Sequence, residues 1–210
     1  MTAKTTSKRT AAHQAHQAHQ AHARAEQERL ARHRRTRRLV TIALTVAVLG
    51  LIGFALVKAV PTSGSTAAAA PGFSLKTTAG TTVSLSDYRG KPVVLYFNEG
   101  AGCASCTAQM AEIEKDAAFQ ASGITVLPIV MNTAEQIVPD LQQYGVRTPY
   151  LLDDGSTSKA YGTLGTGMHE GLPGHGFVLI DKDGVKRWFG NYPSMFVAPA
   201  DLLKEVQTRL

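Results

Sequence analysis

The chain has 210 residues, room for one ordinary domain with appendages, and a formal net charge of +6. Residues 1–38 carry ten Lys/Arg against two acids, a net +8, whereas residues 61–210 carry 11 basic and 14 acidic residues, a net −3, and Lys58 makes up the total. The basic balance therefore belongs to the tail, and the mildly acidic remainder offers no basic patch for nucleic acid. Two cysteines three apart exclude a disulfide-stapled scaffold and leave one redox pair or half of a metal site.

The tail, residues 1–38, opens with a low-complexity run in which His13, His16, His19 and His22 recur every third residue. Such histidines are available to a metal, but nothing in the run fixes their geometry, and it reads as a solvated cytoplasmic tail. Residues 39–60 (LVTIALTVAVLGLIGFALVKAV) follow, with Lys58 the single charge. Twenty-two residues at about 1.5 Å each cross the roughly 30 Å hydrocarbon core, and a lysine near one end can snorkel to the interface. Arg32, Arg34, Arg35, Arg37 and Arg38 precede this run, and no basic residue closely follows it. The positive-inside rule predicts a single-pass cell-membrane protein with a cytoplasmic N-terminus and an extracytoplasmic C-terminal domain. A cleaved signal peptide is the rival, with small-residue sites in Ala67–Ala70, although the apolar run exceeds the usual length.

Residues 61–71 (PTSGSTAAAAP) read as a linker, which leaves a domain over 72–210, long enough to bury a core without staples. Residues 73–76 and 82–85 flank Ala79-Gly80 as a hairpin. Two apolar runs, 92–97 (PVVLYF) and 124–131 (ITVLPIVM), suit buried parallel strands, with a helix predicted between them over 105–120. Further helices are predicted over 133–144 and 156–161. Residues 177–181 and 185–189 form a second hairpin around Lys182-Asp183-Gly184, and Pro199 opens a closing helix to 210. The order predicts an α/β sheet with helices on both faces. Trp188 reads as a packing residue of the last hairpin.

Cys103 falls just after the PVVLYF strand, behind Gly100-Ala101-Gly102, and would open the following helix. A thiolate there meets unpaired N–H groups and the positive end of the helix dipole, which lower its pKa. Cys106, one turn on, is placed to attack a mixed disulfide and release the partner. Glu99 is a candidate proton acceptor beside the pair, against a solvated loop acid. His175 is a candidate proton donor or Cu(I) ligand, against a surface histidine. A zinc site would recruit His169 and His175, at spacings unlike the usual ones.

The stretch FSLKTTAGTTVSLSDYRGKPVVLYF, then CASC, then GFVLIDKDG, resembles the alkyl hydroperoxide reductase / thiol-specific antioxidant superfamily. More narrowly it resembles bacterial membrane-anchored thioredoxin-like proteins, from about Pro71 to Leu210. The resemblance implies a thioredoxin-like α/β fold with an N-terminal β-hairpin extension, preceded here by one transmembrane helix. It implies an oxidoreductase with a redox-active CxxC pair, no cofactor and no bound metal, acting on a protein dithiol or disulfide partner. The departures are specific. Gly102 stands where thioredoxins have Trp, and Cys103 lies six rather than five residues after Phe97. The slot of the family's cis-proline falls on Gly174, with Pro173 one place earlier. The peroxiredoxin pattern P-x-x-x-T-x-x-C aligns without gaps on Cys106, but its Pro and Thr slots fall on Glu99 and Cys103, and its Arg slot on Gly174. Three function classes stay open: exported thiol–disulfide oxidoreductase, thiol peroxidase, and a copper-delivery module using Cys103, Cys106 and His175.

Overall fold

The computed structural model describes residues 37–38, 40–50, 62–64, 67–165 and 170–210. Contacts divide the chain into two units, Met1–Val57 and Lys58–Leu210. In the first, residues 37–38 and 40–50 are helical and exposed, and Thr41 and Thr45 hydroxyls bond back to the Arg37 and Thr41 carbonyls. The histidine run and residues 51–60 of the predicted span lie outside the described residues. Among the described residues no helix is long and apolar enough to cross a membrane.

The second unit is built on a nine-stranded sheet. Its strands are β1 (Thr62–Gly64), β2 (Ala68–Ala69), β3 (Ser74–Thr77), β4 (Thr82–Ser84), β5 (Val93–Phe97), β6 (Thr125–Val130), β7 (Leu151–Leu152), β8 (Gly176–Ile180) and β9 (Val185–Asn191). The spatial order is β1-β9-β8-β5-β6-β7-β3-β4, with β2 also on β9. Strands β5, β6 and β7 are parallel and the other pairings antiparallel. The helices are α1 (Ala104–Lys115), α2 (Ala117–Ala121), α3 (Ala134–Tyr144), α4 (Ser156–Tyr161) and α5 (Pro199–Gln207), with a 3-10 turn over Leu85–Tyr88.

The period of two along β5 divides the core. Val94 and Tyr96 face a cluster with Met110, Ile137 and Leu202, whereas Val93, Leu95 and Phe97 face one with Leu127 and Tyr161. Covered on both faces, β5 is apolar throughout. Trp188 is buried as expected, with the Arg209 guanidinium 5.4 Å from its ring centroid.

Three sequence expectations change. The helix predicted over 105–120 is two helices. Asp116 ends α1, and its carboxylate then accepts the Phe119 N–H at 2.8 Å and caps α2. Leu151–Leu152, too short to show a pattern, extends the sheet from β6 to the N-terminal hairpin. Residues 61–71, expected to be a linker, hold β1 and β2 on the edge of β9. Backbone pairing needs no particular side chains, so a Ser/Gly/Ala segment can cover a sheet edge without any apolar signature.

Candidate redox site

The site grows from the end of β5. Asn98, fully buried, accepts the Gly100 N–H on its Oδ1 at 3.1 Å. Asn132 Oδ1 accepts the Ala101 N–H and Asp140 Oδ2 the Gly102 N–H, each at 2.9 Å. Three side chains from three parts of the chain thus satisfy successive amides of the loop that delivers Cys103. Gly100 adopts φ 77°, and a Cβ there would run into Asn132 Oδ1, so the loop needs a glycine at this position.

Cys103 is the N-cap of α1, and its Sγ accepts the Cys106 N–H at 3.3 Å. The two cysteines form a disulfide with Cα atoms 5.3 Å apart. Cys103 is half-buried and Cys106 fully buried. Cys103 is therefore the more accessible of the two, and Cys106, the residue picked out by the gapless peroxiredoxin register, is the more buried.

Beneath the first turn of α1 lies a buried pair that sequence reasoning half missed. Tyr96 OH donates to the Cys106 carbonyl at 3.0 Å and lies 3.1 Å from His175 Nδ1. A phenol has one proton to give, so the same contact makes His175 Nδ1 the protonated nitrogen, donating to the phenolic oxygen. Burial pushes the Tyr96 pKa well up, helped by Tyr150 and Glu99, and burial lowers that of His175 from 6.5 to about 4. Both groups are neutral at neutral pH. The Tyr96 ring stacks on Phe177 with centroids 4.5 Å apart, and His175 meets Tyr96 edge-on at 5.0 Å. His175 is thus a buried residue, not a surface loop histidine.

Glu99 and His175 line one cleft of about 280 Å³, together with Gly174, Asn191 and Met195. The cysteines do not line it. Pro173 sits beside this cleft in a bridge with Leu164, and no cis peptide bond occurs among the described residues, so Pro173 supplies none. Among the described residues no three His, Cys, Asp or Glu side chains form a metal-binding group. A copper site on the cysteines would need His175, whose ring is engaged with Tyr96; His169 lies outside the described residues. Sequence reasoning did not find Tyr96, Asn98, Asn132 or Asp140. Asn98 could have been noticed as a polar residue closing an apolar strand, whereas Asn132, in the loop after β6, and Asp140, in α3, are brought in by the fold alone.

Known proteins share this frame. The family model for the AhpC/TSA family matches residues 66–189. A peroxiredoxin-named protein of Mycobacterium tuberculosis is 31% identical over 121 residues, 55% of this chain and 77% of that one. Among solved structures, the peroxidoxin BcpB of M. tuberculosis superposes with a TM-score of 0.58 at 20% identity, over 69% of this chain and 97% of that one. The MTB protein dsbF does so with a TM-score of 0.54 at 20% identity, over 69% of this chain and all of that one. The two structural matches establish the thioredoxin-like fold, and the extent of the family match together with the cysteine pair makes this protein an oxidoreductase of the AhpC/TSA family.

Proposed function

We propose that the chain is a membrane-anchored thiol–disulfide oxidoreductase whose domain works on the exported side, with Cys103 attacking and Cys106 resolving. The observation that carries this reading is the unequal burial of the two sulfurs on one helical turn. Cys103 caps the helix and is partly exposed, and Cys106 is fully buried and bonded to it. In the reducing direction the Cys103 thiolate attacks a partner disulfide, forming a mixed disulfide and releasing one partner thiolate, which takes up a proton. The Cys106 thiol loses its proton and its sulfur attacks Cys103, expelling the second partner thiolate. Two electrons pass to the partner, and the reverse sequence oxidises a partner dithiol. The helix N-terminus stabilises the Cys103 thiolate.

Anchoring is supported by the predicted span and its arginine flank, and by the helical residues 40–50. Val40, Ile42, Leu44, Val46, Val48 and Leu49 there are more than half exposed, an arrangement that suits lipid rather than water. Protease added to intact spheroplasts should digest the domain and spare the tail, and a protected domain would refute the orientation.

A thiol peroxidase is the second reading, favoured by the peroxiredoxin names among the relatives. The two readings separate in one experiment. Wild type should exchange with a dithiol substrate and consume hydrogen peroxide no faster than an ordinary exposed thiol, while Cys106→Ser should trap a protein partner as a mixed disulfide on Cys103. Fast peroxide consumption that survives loss of one cysteine would install the peroxidase instead.

A further inference from the structure

The single tryptophan of the chain lines a groove that the cysteines do not touch, with a volume of about 640 Å³. Trp188 and Gly190 of β9 and Tyr192 just beyond it fall at every second residue, which puts them on one face over a length of about 13 Å. Asp201, Lys204 and Glu205 of α5 line the same space. Gly190 makes room for the indole. A Cβ there would run into Cζ2 and Cη2 of Trp188 and lie 3.0 Å from Cε2, the carbon bonded to Nε1. The N–H edge of the ring therefore lies over a residue of the groove.

Trp188 is 1% exposed, yet its Nε1–H finds no acceptor among the described residues. Buried donors are nearly always paired, so this one calls for an oxygen from outside the fold. Tyr192 supplies a second donor. Burial, and then the charges of Glu205 and Asp201 against that of Arg209, push its pKa up to about 12, so the phenol keeps its proton. Phe196, also in the groove, is 41% exposed, but its place is fixed. Met195 before it has φ 60°, the one left-handed non-glycine residue among the described residues. The Ser194 hydroxyl donates to the Phe196 carbonyl at 2.8 Å, and the Val197 N–H donates to Oε1 of the buried Gln109 at 2.7 Å. The chain thus holds a large apolar ring towards water in the same groove as an unpaired indole N–H.

From this geometry we infer that the groove binds an extended, proline-rich segment of a partner protein, one of whose carbonyls accepts the Trp188 indole N–H while a proline ring covers Phe196. A polyproline II segment has no internal hydrogen bonds, so its carbonyls are free to accept. Its proline nitrogens carry no hydrogen, so burying them leaves no donor unpaired. Aromatic-lined grooves are a recurring seat for such segments, and at about 3.1 Å per residue four residues match the length of this one. Charge does not choose the ligand. Glu205 is paired with Arg209 at 2.8 Å, and Asp201 and Lys204 contribute one charge of each sign. A cationic ligand is the poorer occupant, because the Arg209 guanidinium already stands 5.4 Å from the Trp188 ring centroid.

Because the chain has one tryptophan, its indole N–H resonance and its fluorescence report on this groove alone. The test titrates the full chain, in nanodiscs, with a capped decaproline peptide and with a capped Gly/Ser peptide of equal length. Decaproline should move the indole proton downfield and change the fluorescence, both saturably, and the Gly/Ser peptide should do neither. Phe196→Ala, at an exposed position, should keep the circular dichroism and the rate of dithiol exchange of the wild type and raise the Kd for decaproline about tenfold. The Kd should change less than about twofold between roughly 0.05 and 0.5 M salt. An indole resonance that stays in place at millimolar decaproline, or moves equally with both peptides, overturns the inference. So does a Kd that Phe196→Ala leaves unchanged. A steep salt dependence would give the groove to a charged ligand instead and overturn the proline-rich assignment.

Discussion

The two ends of the central sheet are built by different rules. At one end β8 and β9 are joined by Lys182-Asp183-Gly184, whose carbonyls accept from Arg89, Gly90 and Ala70 while the turn's own side-chain bonds are local. Asp181 accepts the Asp183 and Val185 N–H groups at 2.9 Å each and pairs with Arg187 at 2.6 Å, all within six residues. At the other end the loop to Cys103 is held by Asn98, Asn132 and Asp140, up to 38 residues away. A buried Tyr96–His175 contact joins residues 79 apart beneath it. The comparison teaches that the amides of the turn find their side-chain acceptor in the adjacent Asp181, whereas two of the three amides of the redox loop find theirs in Asn132 and Asp140, distant in sequence. A loop held from outside presents its cysteine in one geometry and leaves its own residues free to serve the reaction.

The largest effect should come from the sulfurs. Cys103→Ser or Cys106→Ser should lower dithiol turnover by roughly three orders of magnitude or more, because the chemistry needs both partners and their effects do not add. Each variant should still fold, as judged by circular dichroism. Substantial turnover by either single variant would dissolve the assignment of one attacking and one resolving thiol.

The buried histidine gives the next largest effect and separates the ends by pH. Its pKa is lowered from 6.5 to about 4 by burial. Between those values the unfolded chain binds more protons than the folded one, so stability is full above about pH 6.5 and falls as pH drops through about 4. The loss should approach about 3 kcal/mol. Urea unfolding across this range should show the slope, and His175→Gln, which keeps polar partners for Tyr96 but does not titrate there, should flatten it. The carboxyl of Asp181 acts in another window. Burial raises its pKa, and the Val185, Arg187 and Asp183 contacts outweigh that and lower it below 3.8. Its contribution is present above pH 3.8 and lost only as pH falls through the lower folded value. A slope between pH 6.5 and 4 that persists in His175→Gln would remove the histidine from this account.

Asp140→Ala should cost about 1 kcal/mol of stability and slow exchange a few-fold, since the Gly102 amide loses its acceptor. Asp140→Asn, which keeps an oxygen in place, should recover most of the rate. Equal loss in both variants would mean that charge rather than loop geometry is at work. The smallest effect on rate belongs to the turn end. Asp181→Ala should lower stability by about 1–2 kcal/mol and leave the rate of exchange unchanged. A fall in rate would show that the two ends are coupled.

Much of this molecule was legible before folding. The runs at 92–97 and 124–131 became β5 and β6, the hairpins around Ala79-Gly80 and Lys182-Asp183-Gly184 formed, and α4 took the predicted bounds. These are local decisions, made by hydrophobic period and turn chemistry over a few residues. The helix after the redox loop was legible in kind but not in extent, because a single side chain, Asp116, stops one helix and starts another. The strand pairings of residues 62–69 left no trace in composition, because backbone hydrogen bonds to β9 ask nothing of the side chains.

The sequence by itself determined that there is one cysteine pair, that it follows a buried strand and opens a helix, and that the chain resembles a known redox family. Those features are contiguous, so periodicity and spacing reveal them. Only the tertiary structure decided which sulfur faces outward, that His175 is buried against Tyr96, that Glu99 and His175 share a cleft, and that Asn132 and Asp140 hold the reactive loop. Each of these depends on elements distant in sequence meeting in space. A side chain's burial, its partners and the resulting shift in its proton affinity are fixed by what packs around it and not by its neighbours along the chain.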